Sequence, residues 1–391
     1  MRPSDRSDVP AFEVMTVLDR VATLREAGRD IVSLCAGEPS GGAPADVHER
    51  AAQAHADAAT LGYTPALGRP ELRAAVAGHY RRWYDVDVDP ASVAITTGAS
   101  GAFVVLFLAA FDAGDRVAVT RPGYPVYGNL LRTLGIEVVE VPVGPTTGFQ
   151  PTVEDLDTAA GGGPLHGLVL ASPANPTGSM VDHERLASLS AWCRARGARL
   201  ISDEIYHGIT FGDSRGASLA SIDPAGVVVS SFSKYWGMTG WRLGWCLVPE
   251  DLLVAVDGLA GNVALCPPTP AQVAAVGAFT ERSYKEADER VAALAQTRAL
   301  LLDAVPRLGW GPVAPASGAF YLWAGIADQL GRHADSVAWC RALLEESGVA
   351  LIPGTDMDRV DGGTFVRLSF AAGDEAVAES IDRIAAFQAR G

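Results

Sequence analysis

Residues 227–244 read VVVSSFSKYWGMTGWRLG, and this stretch decides how the whole chain is interpreted. Its β-branched beginning predicts a buried strand at 227–232. Lys234 follows that strand, and Arg242 comes eight residues later, after a glycine-rich turn. A lysine that forms a Schiff base must lie in a pocket wall, partly desolvated, so that its amine can be neutral. For these two residues alone, the alternative is a surface lysine beside a structural arginine.

The same stretch holds the groups that a phosphate needs. Phosphate oxygens bind to hydroxyls, to free backbone N–H groups and to the planar fork of an arginine. A lysine, two hydroxyls and an arginine in close succession therefore predict a ligand that carries a phosphate and bonds to the lysine. The candidate phosphate ligands are Ser231, Ser233 and Arg242.

Outward from this stretch, short β-branched runs alternate with helical stretches from about residue 92. Strands that alternate with helices predict a mostly parallel sheet covered by helices on both faces. Ligands of such sheets bind outside the carboxyl ends of the strands. The predicted strands are 92–97, 116–120, 138–143, 167–171, 200–202 and 227–232, and the predicted helices are 101–111, 128–134 and 186–196.

The pattern changes towards the C-terminus, where residues 269–307 are Ala-rich and helical with few breakers before Pro306. The strands and helices predicted after residue 307 are typical of a smaller α+β domain. A helix at 14–27 and a strand at 31–34 are expected to pack with it. The predicted division is a large domain at 46–282 and a small domain formed by 1–45 and 283–391. The further predicted elements of the small domain are strands 319–324 and 364–370 and helices 336–347 and 374–390.

Charge and composition exclude some classes of function. Lys plus Arg is 31 and Asp plus Glu is 46, so the net charge is −15. That balance disfavours nucleic acid, which needs a basic face, and an anionic membrane surface. The longest apolar run, 102–111, is shorter than the about 20 residues of a membrane span. Five cysteines without a C-x-x-C pair and an N-terminus without an apolar signal core predict a cytoplasmic protein with reduced thiols.

Residues 231–244 resemble the pyridoxal-phosphate attachment signature of the class I aminotransferases, which are fold-type I pyridoxal-phosphate enzymes. The resemblance covers nearly the whole chain. It implies an α/β fold: a large domain with a mostly parallel seven-stranded sheet sandwiched by helices, plus a smaller α+β domain. It further implies that Lys234 binds pyridoxal 5′-phosphate in a ping-pong transfer of amino groups between amino acids and 2-oxo acids.

Two further motifs follow predicted strands. Residues 203–206 read DEIY, and the resemblance places Asp203 on the pyridine nitrogen and Tyr206 on the phenolic oxygen of the cofactor. Residues 172–178 read SPANPTG, and the resemblance assigns Asn175 to the same oxygen and to the substrate carboxylate. Taken alone, Asp203 can equally be a helix N-cap, and the second motif can be a plain loop.

The phosphate and the ring face have candidate partners earlier in the chain. Residues 97–101 read TGASG, a turn into a helix whose free N–H groups attract an anion. The resemblance assigns Ala99 and Ser100 to this phosphate cup. Residues 122–127 read PGYPVY, and the resemblance stacks Tyr124 on the ring. A turn with a half-buried tyrosine is the alternative for Tyr124.

Three positions concern the substrate and the subunit partner. Arg367 lies in an apolar strand, where a charge needs a partner, and a substrate α-carboxylate or a structural salt bridge can supply it. The resemblance assigns Gly37 to a segment that closes over the substrate. It also implies a homodimer with shared active sites, in which Tyr63 reaches the phosphate in the neighbouring subunit.

The substrate side chain and the reaction type leave alternatives open. Some bacterial aspartate enzymes of the family have a lysine in the phosphate cup, where this chain has Ser100. A neutral or aromatic donor is therefore favoured over a dicarboxylate, with pyruvate or 2-oxoglutarate as acceptor. The rivals are a lyase or cyclase that uses the same cofactor, an effector-binding module, and an α/β hydrolase. The hydrolase is disfavoured because Ala102 replaces the last glycine of its nucleophile elbow.

Overall fold

The structure is a computed structural model that describes residues 2–7, 9–10, 13–35, 37–57 and 61–390. Its helices are α1 Glu13–Glu26, α2 Ala45–Ala56, α3 Pro70–Tyr84, α4 Gly98–Ala110, α5 Pro125–Thr133, α6 Val153–Ala160, α7 His183–Arg196, α8 Glu250–Ala264, α9 Thr269–Ala275, α10 Glu281–Leu308, α11 Ser336–Ser347 and α12 Asp374–Gln388. Its strands are β1 Val32–Ser33, β2 Val93–Thr96, β3 Arg116–Arg121, β4 Glu137–Pro142, β5 Gly167–Ala171, β6 Arg199–Asp203, β7 Val227–Ser231, β8 Gly244–Leu247, β9 Tyr321–Gly325, β10 Val349–Ala350, β11 Ile352–Pro353 and β12 Phe365–Ser369.

The large sheet has seven strands in the order β2-β8-β7-β6-β5-β3-β4. The neighbours from β7 to β4 pair in parallel, and β8 is antiparallel to both β2 and β7. The predicted, mostly parallel sheet is confirmed. The carboxyl ends of β5, β6 and β7 meet at one edge, which is where such sheets bind ligands.

Helices cover both faces of this sheet, as the continuous apolar strands require. In β5, Leu168 and Leu170 belong to the apolar cluster that contains Leu189 of α7. Val169, the residue between them, belongs to the cluster on the opposite face, together with Phe103 of α4. Successive side chains of a strand point to opposite faces, so the strand is buried from both sides.

The C-terminal part forms a smaller sheet, in which β12 pairs antiparallel with β11 and β9. The N-terminal segment packs there as well, because β1 pairs in parallel with β10, Val32 opposite Val349. The helical stretch predicted at 269–307 is broken at Thr280, which has extended backbone angles and caps α10 by accepting a bond from Ser283 N–H. The domain boundaries at 45/46 and 282/283 remain a prediction.

Two absences concern the described part of the chain only. None of its helices combines the length and the apolar character needed to cross a membrane. No group of three or more His, Cys, Asp or Glu side chains in the described ranges is arranged to hold a metal ion.

Candidate active site

A cavity of about 660 Å³ lies at the edge where β5, β6 and β7 end. Each of these strands ends at, or is followed by, a polar residue that lines the cavity. Asn175 follows β5, Asp203 ends β6, and Ser231 ends β7. Twelve of the thirteen predicted site residues line it, so the sequence motifs converge in space as expected. They are Gly37, Ala99, Ser100, Tyr124, Asn175, Asp203, Tyr206, Ser231, Ser233, Lys234, Arg242 and Arg367.

Lys234 lies three residues after β7, with its amine inside the cavity. Its Nζ donates a hydrogen bond to the carbonyl oxygen of Gly37, at 2.6 Å. Burial lowers the pKa of Lys234 to about 8; Glu38 opposes this shift, while the nearby arginines reinforce it. A lysine with such a pKa is partly neutral near physiological pH and can act as a nucleophile or base. The simpler alternative of a surface lysine is therefore wrong.

Asp203 is the last residue of β6, and only 3% of its surface is exposed. Its carboxylate accepts hydrogen bonds from the Tyr127 hydroxyl and from the Ile205 N–H, the latter at 3.0 Å. Burial raises the pKa of Asp203 to about 6, although both hydrogen bonds act against this shift. The residues that follow form turns and not a helix, so the N-cap alternative is wrong.

The start of α4 and Arg242 form a positive corner of the cavity. Thr97 precedes α4 but its side chain makes no capping bond, so the first N–H groups of the helix are left for another acceptor. Gly98 has φ +68°, and a Cβ there would lie 2.5 Å from Arg242 Nη2. In the described ranges, no carboxylate lies within 4.0 Å of Arg242. The helix start and Arg242 together give this corner a positive electrostatic character.

Two serines stand beside this corner. The Ser231 hydroxyl lies 2.9 Å from the Ser233 hydroxyl and 3.0 Å from the carbonyl oxygen of Leu243. Ser231 also accepts a bond from the Ser233 N–H, at 3.0 Å. These bonds fix the loop between β7 and Lys234 and leave both serines on the cavity wall.

Arg367 of β12 is 4% exposed and lines the same cavity. Its guanidinium donates to Asn175 Oδ1 at 3.2 Å and to the carbonyl oxygen of Cys35 at 3.0 Å. Its buried Nε has no hydrogen-bond partner in the structure. Among the described residues no carboxylate forms a salt bridge with Arg367, so the alternative of a structural salt bridge is wrong.

Tyr63 is the one predicted site residue outside the cavity. Its side chain is 86% exposed in this chain. The Gly62 carbonyl beside it accepts a hydrogen bond from Thr269 at the start of α9, at 2.7 Å, so the turn itself is held in place.

The sequence model of the family described as "Aminotransferase class I and II" matches residues 29–384. The chain belongs to the class I and II aminotransferases. Members of this family are transaminases that use pyridoxal phosphate. The resemblance of residues 231–244 to the family signature is thereby confirmed, and so is the fold that it implied.

Relatives of this aminotransferase span its whole length. A valine–pyruvate aminotransferase from Mycobacterium tuberculosis is 50% identical over 381 residues, which cover 97% of this chain and 96% of the relative. An aspartate aminotransferase from Streptomyces avermitilis is 32% identical and covers 93% and 91%. The crystal structure of an aminotransferase from Mycobacterium tuberculosis has a TM-score of 0.96 at 48% identity and covers 100% of both chains. Aspartate aminotransferase from Thermus thermophilus with maleate has a TM-score of 0.92 at 33% identity and covers 99% and 100%.

Several residues of this aminotransferase site were not predicted from the sequence. Tyr127, which binds Asp203, lies in the quoted PGYPVY motif and was overlooked there. Glu38 directly follows the predicted Gly37. Tyr321 and three apolar residues of α1 had no local signal, because their place in the cavity depends on how distant segments pack. The α1 residues are Val14, Met15 and Leu18.

Proposed function

We propose that this aminotransferase binds pyridoxal 5′-phosphate at Lys234 and moves an amino group from a neutral or aromatic L-amino acid to a 2-oxo acid. One observation carries the proposal. A single cavity contains a lysine of lowered pKa, a buried carboxylate, and two arginines that have no carboxylate partner among the described residues. Burying a charge without a partner costs free energy. One phosphate-bearing cofactor and one amino acid would give each of these groups a binding partner.

The residues present fit that cofactor. The buried Asp203 has no cationic hydrogen-bond partner of its own, and a protonated pyridine nitrogen would supply one. Tyr206 and Asn175 would hold the phenolic oxygen, and Tyr124 would lie on the ring. The positive corner would hold the phosphate through Ala99, Ser100, Ser231, Ser233 and Arg242.

The reaction divides into tasks for these side chains. Pyridoxal phosphate supplies an electron-accepting ring that stabilises negative charge on the substrate α-carbon. Lys234, which would hold the cofactor, would take the proton from that carbon with its Nζ. Arg367 holds the α-carboxylate in a bidentate bond, with Asn175 beside it, and thereby aims the C–H bond at Lys234. The two half-reactions use this one site in turn, which is a ping-pong mechanism.

The cavity favours a neutral substrate side chain. The three cations that line it, in the described ranges, are Lys234, Arg242 and Arg367. All three are assigned to the cofactor or the α-carboxylate, so none is left for a distal carboxylate. Glu38 adds a negative charge, and α1 adds an apolar wall. With the valine–pyruvate aminotransferase as a relative, this composition supports a neutral donor with pyruvate as acceptor.

A homodimer with shared active sites is a further proposal, and the exposure of Tyr63 supports it. Tyr63 is 86% exposed and lies outside the cavity of its own chain. Leu265 is 52% exposed and comes four residues before Thr269, whose hydroxyl binds the Gly62 carbonyl. We expect Tyr63 to reach the phosphate in the partner subunit. Co-expressed Lys234→Ala and Tyr63→Ala subunits should then regain activity that neither homodimer has, since one hybrid site is complete. A purified heterodimer of the two variants that recovers no activity would contradict shared active sites.

The location and the domain division are proposals of the same kind. The five cysteines are free, and four of them are buried. Free thiols support a reducing compartment, which is the cytoplasm. The boundaries at 45/46 and 282/283 are supported by the pairing of β1 with β10 in the smaller part.

A panel of amino acids tests the reaction. The purified protein with pyridoxal phosphate should show a cofactor absorbance band that valine, alanine or phenylalanine bleaches, with one equivalent of 2-oxo acid released. Aspartate should act more slowly. If no amino acid changes the band, the transaminase proposal is wrong, and if cysteine releases ammonia and pyruvate, the lyase alternative is right.

A further inference from the structure

Tyr321 contacts two residues of the proposed site and has no role in the mechanism described so far. It is the first residue of β9 and only 1% of its surface is exposed. Its hydroxyl oxygen lies 3.0 Å from that of Tyr206. The guanidinium carbon of Arg367 lies 4.7 Å from the centre of its ring. Tyr206 lies in the turn after β6 of the large sheet, Arg367 lies in β12 of the small sheet, and Tyr321 contacts both.

The hydrogen bond between the two tyrosines has a direction that matters. A tyrosine hydroxyl has one proton to donate, and it also accepts hydrogen bonds. Burial raises the pKa of Tyr206 and of Tyr321, so both hydroxyls keep their protons at neutral pH. If Tyr206 donated to Tyr321, it would have no proton for the phenolic oxygen of the cofactor. The proton of Tyr206 is free only when Tyr321 is the donor.

The packing around Tyr321 fixes its ring in this position. Its ring centre is 4.8 Å from that of Phe320 and 5.8 Å from that of Tyr206. Its backbone is opposite Ser369 in the β9–β12 pair, two residues along the strand from Arg367. Side chains at this diagonal spacing lie on the same face of a sheet and can touch. The contact with Arg367 is therefore built into the register of the small sheet.

The ring also offers Arg367 a favourable surface. The face of an aromatic ring carries partial negative charge and attracts a guanidinium. Arg367 is buried and has no carboxylate partner among the described residues, so the ring partly compensates for its lost hydration. The ring holds the guanidinium without occupying the N–H groups that a substrate carboxylate needs.

We propose that Tyr321 is a positioning residue for transamination, whose hydroxyl donates to Tyr206 and whose ring supports Arg367. The proposal rests on the proposed function, because it assigns Tyr206 to the cofactor and Arg367 to the substrate carboxylate. The two roles belong to different parts of one side chain. Tyr321→Phe removes the first role only, and Tyr321→Leu removes both.

The first measurement is the pH midpoint at which the bound cofactor changes its absorbance, when the nitrogen that joins it to Lys234 loses its proton. A hydrogen bond from Tyr206 to the phenolic oxygen draws off negative charge and weakens proton binding at that nitrogen. The bond that Tyr206 accepts from Tyr321 polarises the Tyr206 hydroxyl and strengthens its own donation to the phenolic oxygen. Tyr321→Phe removes this polarisation and should raise the midpoint by roughly 0.3 to 1 pH unit, at most the size of one hydrogen bond. Tyr206→Phe should raise it further, and adding Tyr321→Phe to Tyr206→Phe should change nothing more.

The second measurement is the affinity of the holoprotein for 3-methylbutanoate, a carboxylate that has no amino group to react. Tyr321→Phe should leave its dissociation constant unchanged, and Tyr321→Leu should raise it about 3- to 30-fold. The matched control is Tyr284→Phe, which deletes a buried hydroxyl on α10 outside the cavity and should change neither quantity.

The outcomes separate this proposal from the proposed function. A wild-type protein that binds no pyridoxal phosphate overturns both. A wild-type protein that binds it and transaminates, but shares its pH midpoint with Tyr321→Phe, overturns the role of the Tyr321 hydroxyl alone. Equal carboxylate affinities in Tyr321→Phe and Tyr321→Leu overturn the role of the ring.

Discussion

Asp203→Asn should stabilise the cofactor-free protein while impairing the enzyme. The carboxylate of Asp203 is buried, and in the described part of the chain its hydrogen-bond donors are the neutral Tyr127 hydroxyl and Ile205 N–H. Burial penalises its charge in the absence of a cationic ring nitrogen. An asparagine has nearly the same shape and its oxygen still accepts from Tyr127, but its NH2 group replaces the oxygen that accepts from Ile205 N–H. The substitution therefore removes the charge and one hydrogen bond of about 1 kcal/mol, a loss that does not depend on pH.

The size of the effect follows from the pKa of Asp203. Burial raises the pKa of Asp203 from its ordinary value of 3.8 to about 6. At 1.36 kcal/mol per unit, charging this group costs the folded protein about 3 kcal/mol. The pKa of Asp203 is higher in the folded protein than in the unfolded one, so its ionisation destabilises the fold as the pH rises. The cost is absent below about pH 4, develops between pH 4 and 6, and is complete above pH 6. For 391 residues it corresponds to about 3 to 4 °C in the unfolding midpoint.

The assay is thermal unfolding of both cofactor-free proteins at equal concentration between pH 4.5 and 8. The midpoint of Asp203→Asn minus that of the wild type should grow with pH and level off above pH 6. Comparing the two proteins cancels the titration of buried groups whose pKa does not depend on Asp203, such as His207. Glu204 does not cancel fully, because the charge of Asp203 raises its pKa. A difference that stays constant with pH, or a variant less stable at pH 8, would refute the reasoning about a buried, unpaired carboxylate.

Three further predictions concern the cations and the phosphate cup. Arg367→Lys should raise KM for the amino donor about 10- to 100-fold, because a point charge replaces a bidentate fork, while the unfolding midpoint changes little; an unchanged KM contradicts the assignment. Ser100→Lys should raise kcat/KM for aspartate relative to valine at least about tenfold, by supplying a cation for the distal carboxylate; a ratio that falls argues against this subsite. The rate at which the cofactor-free protein takes up pyridoxal phosphate should rise with pH and level off above about 8, the lowered pKa of Lys234. A rise that continues to the ordinary lysine value of 10.5 shows that Lys234 is not desolvated.

The strands of the large sheet were predictable because their signal is local. The run at 167–171 is apolar throughout and became β5 with the same bounds, since a strand buried on both faces needs such a run. β8 escaped prediction. It is four residues long, begins with a glycine, and follows the site loop directly with no helix before it. Its pairing with β2, about 150 residues away in sequence, is what makes it a strand.

The site was predictable where motifs follow strands, because the topology brings strand ends together. Lys234, Asp203 and Asn175 converge for this reason. Contacts that depend on how distant segments pack cannot be recognised from a local sequence motif. Met15 reads as an ordinary helix residue, and only the placement of α1 puts it at the cavity. Tyr321 reads as a strand residue, and its bond to Tyr206 spans 115 positions in the sequence.

The most direct test of the central claim locates the cofactor on the chain, which contains two lysines, Lys234 and Lys285. Borohydride reduction of the holoprotein, followed by digestion and mass spectrometry, should find the added cofactor mass on Lys234 alone. Lys285 is the matched control, with a side chain 79% exposed on α10, and Lys285→Arg should keep the absorbance band that Lys234→Arg loses. A reduced cofactor on Lys285, or a Lys234→Ala protein that still retains the cofactor after reduction, would contradict the account.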